Sequence, residues 1–66
     1  MNIVLNGKTQ QLPAPLTVAE LLARLQMPPR GVAVEVNLEI VPRTLHEQHL
    51  LQEGDRLEIV SLVGGG

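Results

Sequence analysis

The chain is 66 residues long, with five Lys and Arg against seven Asp and Glu for a formal charge of −2, and hydrophobic residues make up 44% of it. That length holds one domain, which buries roughly 60% of the surface its unfolded chain exposes, so the core is thin. With no Phe, Tyr, Trp or Cys, the core must be aliphatic, and disulfides, thiolate metal ligands and cysteine nucleophiles are excluded together.

The charge is mixed rather than blocky, and the basic residues Lys8, Arg24, Arg30, Arg43 and Arg56 are scattered, which argues against a nucleic-acid partner. No apolar run approaches the roughly 20 residues that span a bilayer, and no basic n-region precedes the first strand pattern. A soluble, cytoplasmic protein with no membrane partner is expected.

Met1, Ile3 and Leu5 alternate with Asn2, Val4 and Asn6, the period of a strand with one buried face, and Asn6-Gly7 is a hairpin signal that returns Lys8 to Leu12 antiparallel. Thr17 stands three residues before Glu20, the spacing of a capping box. Val18, Leu21, Leu22 and Leu25 then follow the helical period and predict an apolar stripe, ended by Met27 and Pro28-Pro29. Val32, Val34 and Val36 share the buried face of a third strand, and Ile40-Val41 predicts a short fourth one. Thr44 and Glu47 repeat the capping-box spacing and predict one helical turn over 45–49. Glu53-Gly54-Asp55 reads as a tight turn into a last strand from Leu57 to Val63, which runs directly into Gly64-Gly65-Gly66. The order describes an α+β domain over 1–63, a mixed sheet of four to five strands on one main helix, with a flexible glycine tail at 64–66.

Glycine has no Cβ, so a Gly-Gly end can thread a channel too narrow for any side chain. A terminal carboxylate, ionised at neutral pH, is a poor electrophile and requires activation before acyl chemistry. The chain lacks a G-x-x-x-x-G-K-[ST] phosphate loop, so ATP would be bound by a partner and no cofactor by this chain.

If Leu57 and Ile59 face the core, the two-residue period throws Val60 and Leu62 to the other face beside the tail, a candidate docking surface; the plainer reading is isolated exposed apolar residues. His46 and His49 lie three apart with no third ligand nearby, so they read as surface residues and no metal site is expected. Glu35 and Glu39 flank a turn without a nucleophile or pocket beside them and read as solvated charges.

Thr17-Val18-Ala19-Glu20-Leu21-Leu22, the stretch Val36-Asn37-Leu38-Glu39-Ile40-Val41-Pro42-Arg43, Glu53-Gly54-Asp55 and the Gly-Gly end, in this order and across essentially the whole chain, resemble the ThiS family of sulfur carriers of thiamine biosynthesis. The resemblance implies a ubiquitin-like β-grasp fold and a protein co-substrate rather than an enzyme. It further implies that a ThiF-like adenylyltransferase activates the Gly66 carboxyl with ATP, that a cysteine desulfurase or rhodanese-type protein supplies sulfur, and that the resulting thiocarboxylate serves thiazole synthase (ThiG). Gly65 and Gly64 would present the reactive end. Two departures stand out: Leu38 sits where the family often has Gly, and Gly64 adds a third glycine. Alternative readings are the small subunit of molybdopterin synthase, usually longer and with aromatics, and a ubiquitin-like modifier or interaction domain.

Overall fold

The computed structural model describes residues 1–28 and 30–62, and the expected tail at Gly64, Gly65 and Gly66 lies outside them, as does Val63. The elements are β1 (Asn2–Leu5), β2 (Lys8–Gln11), α1 (Val18–Arg24), β3 (Val32–Val36), β4 (Glu39–Ile40), a 3-10 turn (Arg43–Leu45) and β5 (Arg56–Ser61). They form one five-stranded sheet in the order β2-β1-β5-β3-β4. β1 and β5 pair in parallel at its centre and the remaining pairs are antiparallel. This is the mixed-sheet, single-helix β-grasp arrangement expected from the sequence.

Strand alternation builds the core. Ile3 and Leu5, Val32, Val34 and Val36, and Leu57 and Ile59 are buried and meet Val18, Leu21 and Leu22 of α1, with Leu12, Val41 and Leu51 filling the margins. Leu25, expected in the helical stripe, is exposed. The helix stops at Arg24, earlier than Pro28-Pro29 would impose, because Gln26 turns left-handed at φ 60°. The Gln26 amide then donates to the Ala23 carbonyl at 3.0 Å and the Met27 amide to Leu22 at 2.9 Å. That is a Schellman ending with Gln at the position usually held by Gly.

Both two-residue hairpin turns have positive φ at both central residues, 48° and 83° at Asn6-Gly7 and 52° and 71° at Asn37-Leu38, the type I′ requirement. β4 begins one residue before the expected Ile40-Val41, although the Val41 amide carries the pairing onward by donating to the Val34 carbonyl at 2.9 Å. β5 likewise begins one residue before Leu57, and beyond Ser61 the Leu62 amide donates to the Gly31 carbonyl at 2.6 Å.

The helix N-terminus explains the largest local departure. Its free amides need acceptors: Val18 donates to the His49 carbonyl and Ala19 to the His46 carbonyl, both at 2.9 Å. Glu20 donates to Thr17 Oγ1 at 3.1 Å, and Glu20 Oε1 accepts from the Thr17 amide at 2.8 Å, completing the expected capping box. The expected single turn over 45–49 is present, with the Gln48 and His49 amides donating to the Leu45 carbonyl at 3.0 and 2.9 Å, but its Thr44–Glu47 capping box is not: the chain is already in a 3-10 turn from Arg43, entered from Pro42 with no side-chain cap.

The two Thr-x-x-Glu sequences should therefore separate on mutation. Thr17→Ala should cost about 1 kcal/mol of folding free energy, whereas Thr44→Ala should stay within about 0.5 kcal/mol of the parent; urea denaturation of both measures the difference.

Candidate functional site

Only one face of the sheet is covered by α1. The other carries Val4 of β1, Ala33 and Glu35 of β3, Ile40 of β4, and Arg56, Glu58 and Val60 of β5, as the alternation of buried and exposed positions and the strand register require. Val60 is 53% exposed and Leu62 is 66% exposed; Val60 stands on the open side, in register with Ala33, and Leu62 lies just past the end of β5. Leu62 is the last described residue before the tail.

An asparagine in each hairpin turn aligns β5 beneath this face. Asn6 Nδ2 donates to the Ile59 carbonyl at 3.2 Å and its Oδ1 accepts from the Ile59 amide at 2.9 Å. This bridge continues the β1–β5 contact past the end of β1 and fixes the strand immediately before Val60. At the other end of β5, Asn37 Oδ1 accepts from the Arg56 amide and Asn37 Nδ2 donates to Asp55 Oδ1, both at 3.0 Å, while the Asn37 amide donates to the Arg56 carbonyl at 2.7 Å.

Glu35 faces Glu58 directly across the β3–β5 pair and Ile40 across the β3–β4 pair. Like charges in that position repel, and among the described residues neither glutamate has an ion-pair partner. The two acids flanking the β3–β4 turn do not meet: Glu39 is in register with Val36, on the opposite side of the sheet from Glu35. A groove of about 310 Å³ crosses the open face between the hairpins, lined by Val4, Glu35, Leu38, Arg56 and Glu58 among others.

Two exposed apolar residues on this side were not singled out as docking positions by sequence reasoning. Ile40 is 64% exposed and Leu38 is 90% exposed, and Leu38 holds φ 71°, a left-handed conformation that costs a non-glycine residue about 1 kcal/mol. Reading Asn37-Leu38 as a two-residue turn would have placed Ile40 opposite Glu35.

The histidines require a correction. His46 is only 4% exposed, and its Nε2 lies 2.9 Å from the Val41 carbonyl, so it ties the 3-10 turn to the end of β4 rather than standing on the surface. A single imidazole gave no sequence signal for that burial. His49 is half-buried. Among the described residues no group of three His, Asp or Glu is placed to hold a metal ion, and no helix is long and apolar enough to cross a membrane.

The ThiS family model matches residues 3–66. The chain is 38% identical over its full 66 residues to the sulfur carrier protein ThiS of Escherichia coli, which it covers completely. It is 47% identical, again over 66 residues, to a thiazole synthase of Paramagnetospirillum magneticum, of whose length it spans 20%. The crystal structure of thiamine biosynthesis protein ThiS from Geobacter metallireducens superposes with a TM-score of 0.85 at 33% identity, covering 100% of both chains.

His46 makes a sharp test of the buried bridge. His46→Leu preserves bulk but leaves the Val41 carbonyl without that donor, and should cost about 1–3 kcal/mol in chemical denaturation. Val60→Thr, on the open face, should leave the denaturation midpoint nearly unchanged.

Proposed function

From the chain's membership of the ThiS family, we propose that it is a cytoplasmic sulfur carrier of thiamine biosynthesis whose cargo sits on the Gly66 carboxyl. The observation that carries this reading is the full-length likeness to a sulfur carrier, with the family match running through residue 66.

The chemistry follows from the residue types. A carboxylate accepts no nucleophile until its oxygen becomes part of a leaving group, so a ThiF-like adenylyltransferase joins it to AMP from ATP with release of pyrophosphate. The terminal sulfur of a persulfide, carried by a cysteine desulfurase or rhodanese-type donor, then displaces AMP to give an acyl disulfide. Thiol reduction of its S–S bond leaves a thiocarboxylate on Gly66. The Gly66 carboxylate oxygen attacks the α-phosphorus of ATP in the first step; beyond that the chain contributes neither nucleotide site nor catalytic group and acts as a co-substrate. Gly65 and Gly64 add no side chain to obstruct entry into a partner's active site.

Thiazole synthase is the acceptor in this scheme. Support comes from the Paramagnetospirillum protein of that name, which includes a stretch homologous to this whole chain. Val60 and Leu62 provide apolar contact area beside the tail, while ordering the glycines opposes association through lost conformational entropy. Moderate, reversible binding is the expected balance, and a carrier that must leave one partner for the next requires it.

Incubation with ATP, the adenylyltransferase and a persulfide donor should raise the intact mass by the difference between one sulfur and one oxygen atom. Fragmentation should confine the change to the C-terminal peptide. An unchanged mass, or a change retained after deletion of Gly65 and Gly66, would remove the carrier reading.

A further inference from the structure

The β3–β4 hairpin tip combines three features that the free domain does not use. Leu38 is left-handed at φ 71° although it is not glycine; its side chain is 90% exposed; and Asn37 holds the turn to β5 through Arg56 and Asp55, so the tip is fixed in place. Backbone strain and an apolar side chain in water are both unfavourable in the isolated chain. Beside the tip, Ile40 adds exposed apolar surface, and the facing Glu35 and Glu58 carry unpaired negative charge on the same side.

We propose that Leu38 is a docking anchor for thiazole synthase, seated in an apolar socket on that enzyme while a basic side chain of the enzyme lies between Glu35 and Glu58. This contact presupposes the carrier reading above and lies remote from the tail. Leu57 is in register with Val36, at the foot of this hairpin, and the chain leaves the described fold at Leu62. Five residues of strand separate the two, roughly 17 Å. The enzyme's footprint thus runs the length of β5, holding the carrier at the Leu38 end while the glycine end reaches the active site.

Charge complementarity selects the partner's chemistry. Two carboxylates directly opposed across a strand pair are relieved by one cation placed between them, and the aliphatic stem of an Arg or Lys can lie along Val4 and Leu38 in the groove they line. The occupant is therefore an apolar surface bearing a basic side chain. Thiazole synthase is chosen because a stretch homologous to this chain belongs to one polypeptide with that name, which keeps the two tethered at high effective concentration.

The signature is an opposite movement of stability and affinity. Leu38→Gly should raise the thermal midpoint by about 5 °C, since glycine adopts the turn without strain, yet weaken binding to the thiazole synthase encoded in the same genome roughly tenfold by isothermal titration calorimetry. Leu38→Asn, which also tolerates the left-handed turn, should weaken binding similarly without loss of fold. Glu58→Gln should bind more weakly and with less dependence on salt than the parent.

Equal affinity of the parent and both Leu38 variants overturns the proposal, as does weakening confined to the adenylyltransferase. Failure of the parent to bind the synthase overturns it as well. The carrier reading is judged separately, by whether Gly66 exchanges oxygen for sulfur in the parent.

Discussion

A helix of seven residues is roughly 10 Å long, while five strands at their usual spacing make a sheet roughly 19 Å across. One such helix can shield only part of one face, and every other feature of the domain answers to that shortage. Because α1 lies over the middle strands, the margins of the core are closed by single residues from connecting segments, Leu12 after β2, Val41 after β4 and Leu51 before β5. Without aromatic residues to cover more area each, the chain compensates with many aliphatic side chains on one side of the strands. Among the described residues no second layer covers the opposite side, and its side chains stand exposed or partly exposed.

The connecting segments consequently have structural work beyond linking strands. The stretch from Pro42 to Leu51 supplies the acceptors for the first amides of α1, inserts His46 beneath the turn and places Leu51 in the core. A loop tied at so many points is part of the fold's cooperative unit, and loosening it would expose both the helix start and the edge of the core. The two turn asparagines play the corresponding part at the sheet, substituting side-chain amides for backbone ladder bonds where β1 and β3 end beside β5. β5 is thereby held on both sides from Arg56 to Ile59, and on the β3 side as far as Ser61. The strand that leads to the tail is the best anchored one.

How much of this could be read beforehand depended on whether the determining interaction was local. Strand alternation around Ile3, Val34 and Leu57, the Asn6-Gly7 turn and the Thr17–Glu20 box are set by neighbours in sequence, and all appear as expected. The identical spacing at Thr44–Glu47 forms no such box, because Thr44 lies inside a 3-10 turn that begins at Arg43, and the place of that turn is set by its contacts with α1, far away in sequence. His46 failed for the same reason, since burial of one imidazole is decided by what surrounds it in space. On the open face, the exposure of Val60 followed from strand period alone. Leu38 and Ile40 needed only the Asn37-Leu38 turn to be read as a two-residue hairpin, whereas the opposition of Glu35 to Glu58 required the register of two strands about 20 residues apart, which no local pattern specifies.

That distribution bears on how a carrier meets successive partners. A continuous apolar face would bind tightly and release slowly, since affinity differences between related complexes reside mainly in dissociation rates. Here the apolar residues fall into two groups, Val60 and Leu62 toward the tail and Leu38 and Ile40 toward the opposite end, with Glu35, Glu58 and Arg56 between them. Charges in the middle of the face demand a complementary charge from any partner that spans it, while each apolar group alone offers limited area. A partner that engages only the tail end need not satisfy the glutamates, and one that engages both ends must. Under the carrier reading, the interrupted face thus lets two enzymes share one domain with different footprints, and the sign of the charge each presents to Glu35 and Glu58 decides which can take the full length of β5.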